Sequence, residues 1–144
     1  MATTPNMTAE DFKKLQAIAE EEVKMPDKLR EIIDKNNYLP TLIMKWQKLY
    51  ANQLYIVKAM EIDCGEKYGE LLKYYKFQDS CAWSTTKEIE SQINSNPVYC
   101  KMLRDVNTQK YYLNFIQETM NDMKNLNFVI KNYLDYKKME SSNY

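Results

Sequence analysis

The sequence predicts an all-α fold, an elongated helical protomer with two long helices and short N-terminal helices. The chain of 144 residues has only 2 Gly and 4 Pro, too few for a protein built of many tight turns. Apolar residues recur at three- and four-residue spacing over 41–77 and 98–139, which is typical of amphipathic helices. No stretch alternates convincingly as a strand does. At this length a single domain is expected.

The N-terminal elements follow from local signals. Residues 1–7 are expected to form a flexible tail. Thr8 followed by Asp11 resembles a helix N-cap at the start of a first helix. Pro26 marks a break, after which DKLREIIDKN forms a second short helix. The NNYLP step then predicts a turn, with Pro40 in the first turn of the helix that follows.

A long helix over 41–77 completes an N-terminal helical region, 8–77. One face of this helix is apolar and carries Leu42, Trp46, Leu49, Gln53, Ile56, Met60 and Cys64. A neighbouring flank, at ~100° per residue, carries Lys45, Lys48, Asn52 and Tyr55. Trp46 is therefore expected in the core and Tyr55 on the surface. Both glycines of the chain lie late in this helix and predict a bend or a close approach of another helix.

A loop is expected over 78–86, and a C-terminal helical region follows over 87–140. Thr85 or Thr86 could cap a short helix, KEIESQIN, and the SNP step gives a cap and a first-turn proline for one long helix, or two. Apolar residues on more than one face of this region indicate more than one neighbour, so an intermolecular contact is expected. The residues predicted to drive oligomerisation are Leu113, Phe115, Ile116, Met120, Phe128, Ile130, Tyr133 and Leu134.

The composition argues against an enzyme. The absence of histidine removes the commonest general base and the Ser-His and Cys-His nucleophile pairs. Neither GxxxxGK[ST] nor GxGxxG occurs, so no phosphate-binding loop is expected. Cys64, Cys81 and Cys100 lack metal-ligand spacing and are expected to be reduced, buried thiols, with no metal and no cofactor. No apolar run approaches the ~20 residues of a membrane span.

The charges are unevenly distributed although the net charge is zero. Residues 41–77 carry 6 basic and 4 acidic residues, and no acid lies between Asp34 and Glu61. Single-stranded nucleic acids are held by lysines on phosphates and by aromatic rings under bases. The residues predicted to bind nucleic acid are Lys45, Lys48, Tyr55, Lys58, Lys67, Lys73, Tyr74, Tyr75 and Lys76. The alternative is a solvated helical face with its tyrosines in the core.

Several features occur in a recognisable order. An acidic N-terminal helix is followed by Leu39-Pro40, the helix LIMKWQKLYANQL, the step Tyr74-Tyr75, the short helix KEIESQI and the ending FVIKNYLDYKKM. This co-linear set, over roughly 8–139, resembles the UvsY-type recombination mediators of tailed phages. No single motif is specific, and the order of the whole set carries the resemblance.

The resemblance implies a ring-like homo-oligomer, hexamer or heptamer, without ATPase activity. Such a protein binds single-stranded DNA and helps a RecA-like recombinase displace the single-strand-binding protein, in the cytoplasm of the infected bacterial host. It also implies that the C-terminal region drives assembly.

One departure concerns the approach to the Tyr-Tyr step, CGEKYGELLK, which has fewer basic residues than the family favours. The main DNA contact is therefore expected at Lys45, Lys48 and Lys58, or the affinity is lower. The rival hypothesis is a structural or adaptor oligomer that binds only protein partners.

Overall fold

The computed structural model describes residues 6–77 and 85–142, which form four α-helices and no strand. The helices are α1 (Ala9–Glu22), α2 (Leu29–Phe77), α3 (Thr86–Asn94) and α4 (Pro97–Ser142). With 49 and 46 residues, α2 and α4 are each about 70 Å long. They pack antiparallel as a long hairpin, and α1 and α3 lie against it. The prediction of an all-α fold with two long helices is confirmed.

Short-range sequence signals fix where the shorter helices begin. Thr8 Oγ1 accepts the N–H of Asp11 at 3.1 Å, and the Asp11 carboxylate accepts the N–H of Thr8 in return. Thr85 and Glu88 form the same reciprocal pair at the start of α3, so Thr85 rather than its neighbour is the cap. Each capping box satisfies two backbone donors that a helix start would otherwise leave unpaired. The break predicted at Pro26 is confirmed, since it lies between α1 and α2.

The turn predicted at Pro40 is wrong, because α2 begins at Leu29 and continues through this residue. Proline has no N–H to donate to the carbonyl of Asn36, and an interior proline costs a helix about 3 kcal/mol. Leu39 and Leu42, on either side, are both buried in the same core. Their burial contributes about 1.5–3 kcal/mol each, which offsets the proline. The predicted second short helix is therefore the first part of α2, and α1 is the one short N-terminal helix among the described residues.

The start of α4 is set by an asparagine and a proline, as the sequence predicts. Asn96 Oδ1 accepts the N–H groups of Val98 and Tyr99 at 3.0 and 3.1 Å. Pro97 is the first helical residue, where its missing N–H costs nothing. From there α4 continues as a single helix to Ser142.

The main core lies between α2 and α4, and residues of α1 pack into it. The largest side chains with essentially no exposure in this core are Trp46, Leu39, Ile116, Met123 and Ile130. The core position predicted for Trp46 is thus confirmed. A smaller cluster of Leu71, Ile89 and Ile93 holds α3 against the end of α2.

A buried polar network crosses the main core. Gln53, which is 2% exposed, donates from Nε2 to Gln109 Oε1 at 2.8 Å and to the Gln109 carbonyl at 3.0 Å. Gln109, 6% exposed, donates from its own Nε2 to the carbonyl of Met7 at 2.9 Å. Because a buried amide must find partners, this network selects one register of α2 against α4. It also ties the segment before α1 to the hairpin.

The surroundings of the two glycines and the burial of the cysteines test two further sequence predictions. A Cβ atom added at Gly65 or Gly69 would meet no heavy atom within 4 Å, so the predicted close approach of a helix there is wrong. Cys64 is buried and Cys100 is half-buried, whereas Cys81 lies outside the described residues. Burial, with nearby acidic residues, raises the pKa of the Cys64 thiol. Over residues 6–77 and 85–142, no helix is apolar over a length that could cross a membrane.

Candidate nucleic-acid interface

The residues predicted to bind nucleic acid all lie on α2 but form two separate groups. The central group is Lys45, Lys48, Tyr55 and Lys58, and the distal group is Lys67, Lys73, Tyr74, Tyr75 and Lys76. At 1.5 Å per residue, Lys48 and Lys73 are about 37 Å apart along the helix. A single chain therefore does not bring the nine residues together into one patch.

Acidic residues separate the two groups. Asp63, Glu66 and Glu70 are exposed and fall on the same flank of α2 as Lys48, at 100° per residue. A phosphate backbone that followed this flank from Lys48 to Lys73 would meet three carboxylates. The basic surface of α2 is consequently interrupted, and the central group and the distal group act as separate surfaces.

The central group contains one lysine without an ion pair, and it lies beside an exposed ring. Lys48 is exposed and forms no ion pair with any described residue. Tyr55, seven residues later and so about 10 Å away on the same flank, is 70% exposed, which confirms its predicted surface position. Lys58 lies 3.5 Å from Glu61 in an exposed pair, a contact of little energetic value that a phosphate could replace.

Lys45 makes more intramolecular contacts than the sequence predicts. Its Nζ pairs with Glu22 at the end of α1, and it also lies 5.9 Å from the centre of the Trp46 ring. The second carboxylate oxygen of Glu22 accepts the Trp46 Nε1–H at 2.7 Å. Glu22 thus holds the end of α1 onto α2 through two neighbouring side chains, and Lys45 carries less free charge than Lys48.

In the distal group, the side chain of Tyr75 is held by contacts within the chain. Its hydroxyl accepts a hydrogen bond from Asn96 Nδ2 at 3.2 Å, and its ring packs against the small cluster beneath α3. Tyr74 is exposed, and its ring meets Tyr75 edge to face at 5.2 Å. Tyr74 is therefore the tyrosine of this pair that is free to stack on a base.

The lysines of the distal group differ in the same way. Lys67 lies 3.5 Å from Glu70, and Lys76 lies 5.9 Å from the ring of Phe77. Lys73 is exposed and forms no ion pair with a described residue. Lys73 and Tyr74 are thus the available cation and ring at this end of α2.

The residues predicted for oligomerisation are mostly used within the chain. Ile116 and Ile130 are 0% exposed in the core between α2 and α4, so they are intramolecular core residues in this fold. Phe115, Met120, Tyr133 and Leu134 pack against the same core, and Leu113 is half-buried. Phe128, at 67% exposed, is the member of the set that faces outward.

A second group of aromatic and basic residues, which the sequence predictions missed, lies between α1 and α4. Phe12 of α1 is buried against Tyr112, with ring centres 4.3 Å apart and nearly parallel planes. Tyr111, at 61% exposed, meets the same phenylalanine edge to face at 5.5 Å. The helical spacing that places Arg104 two turns before Tyr111 is visible in the sequence. The contact with Phe12 is not, because it joins segments that are far apart in the chain.

Fold and surface together define the class of protein: an all-helical protein that presents lysines and aromatic rings suited to single-stranded nucleic acid. The chain belongs to the family described as "Recombination, repair and ssDNA binding protein UvsY", whose sequence model matches residues 15–143. The family resemblance read from the sequence is therefore confirmed. Recombination, repair and single-stranded DNA binding in phages are the processes to which this family is assigned.

Solved structures show the same fold. The chain is similar to two crystal structures of the bacteriophage T4 recombination mediator protein UvsY. For lattice type II the TM-score is 0.78 at 17% identity, over 94% of this chain and 99% of the other. For lattice type IV the TM-score is 0.76 at 16% identity, over 89% and 97%. No curated protein matches this chain in sequence.

Proposed function

We propose that this chain is a non-enzymatic recombination mediator. It binds single-stranded DNA and helps load a RecA-like recombinase onto strands covered by single-strand-binding protein, in the cytoplasm of the infected host. The observation that carries the DNA-binding part is the pairing of Lys48 with Tyr55 on one exposed flank of α2. An unpaired ammonium group takes a phosphate, and an exposed ring takes the face of an adjacent base.

The distal group provides a second contact of the same kind. Lys73 and Tyr74 are exposed at the end of α2. The acidic residues between the two groups favour two short contacts over one long one. Bases between the contacts would then be left open for a partner protein, which suits a mediator that hands a strand to a recombinase.

Each group on α2 offers few lysines without an ion pair, namely Lys48 in the central group and Lys73 and Lys76 in the distal group, so the proposal includes a homo-oligomer, such as a hexameric or heptameric ring. Identical copies convert weak single contacts into a multivalent surface with much higher overall affinity. The outer side of the second half of α4 exposes Phe128, Val129, Tyr136 and Met139. Exposed apolar groups of this extent mark a contact surface, and another copy of the chain is the occupant proposed here.

The DNA-binding proposal is tested with labelled poly-dT at about 50 and 200 mM salt. Lys48→Glu should weaken binding and flatten the salt dependence, because each lost phosphate contact on a single strand removes about 0.7 from the log–log slope. Lys28→Glu is the matched control, since Lys28 is exposed and lies just before α2. Equal affinities for the two variants would remove Lys48 from the interface.

The mediator and oligomer parts have separate tests. Light scattering with and without oligo-dT gives the mass of the assembly and its DNA uptake together. The wild-type chain should shorten the lag before a recombinase hydrolyses ATP on strands coated with single-strand-binding protein, and Lys48→Glu should not. An oligomer that ignores poly-dT at low salt would contradict the proposal and favour an adaptor for protein partners.

A further inference from the structure

A groove of about 550 Å³ lies between α1 and α4, on the opposite side of α1 from the Lys48 flank. Its walls combine rings with polar and basic side chains, namely Phe12, Lys13, Gln16, Asn107, Tyr111 and Tyr112. The predicted DNA-binding residues are all absent from it. Nothing in the family description or in the α2 surface accounts for this groove.

The aromatic wall is held rigidly from behind. Phe12 is buried, stacks on Tyr112, and meets Phe115 edge to face at 5.1 Å. Tyr111 rests on the edge of this cluster and leaves most of its ring open to solvent. A ring that is already fixed loses little conformational freedom when a flat ligand stacks on it, so Tyr111 is a preorganised platform.

Three cations without acidic partners lie on the two helices that form the groove. Lys13 lines the groove, and Arg104 and Lys101 lie about two and three turns before Tyr111 on α4, Arg104 on the same face as the ring. Within the described part of the chain, none of the three forms an ion pair. Glu118, two turns beyond Tyr111, bounds the positive region on the other side.

The surface of the groove is largely apolar, which suits the face of a flat ring, and its polar side chains can meet the edges of a base. The amides of Gln16 and Asn107 each supply donors and an acceptor. The Thr108 hydroxyl donates to the carbonyl of Arg104 at 3.1 Å, so its oxygen remains available to accept. Rings, amides and the unpaired Lys13 in the groove, with Arg104 nearby on α4, are the combination that suits single-stranded nucleic acids.

We infer that this groove binds an unpaired nucleobase together with its flanking phosphates, with the base stacked on Tyr111 and the phosphates on Lys13 and Arg104. The inference rests on the proposed function and adds a second contact to it. The strand would meet the protein on both sides of α1, with Lys48 on one side and Tyr111 on the other. An acidic peptide is the competing occupant, and it would leave the oligo-dT affinity of Tyr111→Ala equal to that of Tyr38→Ala.

The test measures binding of fluorescein-labelled oligo-dT by Tyr111→Ala, Tyr111→Phe and Tyr38→Ala. Tyr38 is the matched control because it is 57% exposed and lies near the start of α2. Tyr111→Ala should bind about 5- to 150-fold more weakly, since a stacked base contributes ~1–3 kcal/mol. Tyr111→Phe should bind as the wild type does. Unchanged thermal denaturation would show that the fold is retained, as expected for an exposed side chain.

The salt dependence and a cross-link complete the design. Lys13→Gln and Arg104→Gln should each flatten the salt slope, whereas Tyr111→Ala should leave the slope unchanged because the lost ring is neutral. Photo-crosslinking with 5-iododeoxyuridine in the oligonucleotide should map to Tyr111. If Tyr111→Ala and Tyr38→Ala bind equally while Lys48→Glu binds weakly, the groove inference is overturned and the proposed function stands. If the wild-type chain does not bind oligo-dT at low salt, the proposed function fails first.

Discussion

The Gln53–Gln109 pair allows a quantitative test of how the hairpin is held in register. Gln109→Leu keeps the volume but leaves the Met7 carbonyl without its 2.9 Å donor and one Gln53 donor without its 2.8 Å acceptor. A buried polar group that loses its partner costs about 1–3 kcal/mol. We therefore expect Gln109→Leu to lower the free energy of unfolding by about 2 kcal/mol or more, and Gln53→Leu by a similar amount.

The double variant, with both Gln53 and Gln109 replaced by Leu, shows whether the two amides are energetically coupled. Replacing Gln53 and Gln109 together leaves neither amide stranded against the other, and the carbonyl of Met7 lies in a half-buried segment that water can reach. The double variant should thus be less destabilised than the sum of the single variants, with a coupling energy of about 1–2 kcal/mol, inside the range measured for contacting residues.

The assay is urea denaturation of the wild type, both single variants and the double variant, followed by circular dichroism. The free energy of unfolding comes from linear extrapolation, with equal slopes for all four proteins. Each protein is measured at several concentrations, because subunit association would raise the apparent stability. If the single effects add to within about 0.5 kcal/mol, the two amides act independently and the register argument is refuted.

Three further predictions follow from single side chains. Gly65→Ala and Gly69→Ala should each stabilise the chain by about 1 kcal/mol, since the added Cβ meets nothing within 4 Å; a lower melting temperature would show a contact at these positions. Glu22→Ala should cost about 1–3 kcal/mol because it strands the buried Trp46 Nε1–H, whereas Glu22→Gln keeps an acceptor and should cost less; equal losses in urea would contradict the clamp. Burial raises the pKa of Cys64 above its ordinary 9.0, so the unfolded chain releases this proton first and stability should fall as pH rises above about 9. Cys64→Ser should show a smaller fall in urea midpoint between about pH 8 and about pH 10, about one unit on either side of this onset, and identical falls would refute the assignment.

Features set by neighbours in sequence were predictable, and those set by tertiary packing were not. The capping box at Thr8 and the cap at Asn96 are local patterns, and both occur as expected. The sequence predicts a turn at Pro40 because the cost of a proline to a helix is local and visible, while the compensating burial of its neighbours in the α2–α4 core is not. The ion pair of Lys45 is not predictable from the sequence, because its partner, Glu22, lies 23 positions away.

The residues predicted to bind DNA show the same limit. Tyr74 and Tyr75 are equivalent in sequence, and the hydrogen bond from Asn96, 21 positions away, separates them in the structure. Spacing along α2 correctly placed Tyr55 on the surface, because exposure on a helix follows its period. The basic and aromatic surface beside Tyr111 needed the docking of α1, which no periodicity in α4 reveals.

The position of α1 connects the stability of the hairpin with the two proposed DNA contacts. Gln109 holds the segment that precedes α1 through the Met7 carbonyl, and Phe12, just inside α1, supports the ring of Tyr111. Lys48 depends on neither contact, because it stands on α2 itself. Loosening the start of α1 with Gln109→Leu should therefore weaken the contact at Tyr111 and spare the contact at Lys48. In an oligo-dT titration, such a variant would lose affinity and its salt slope would flatten by about 0.7, since Lys13 of α1 is displaced together with the support of Tyr111 while the phosphate contact of Lys48 remains.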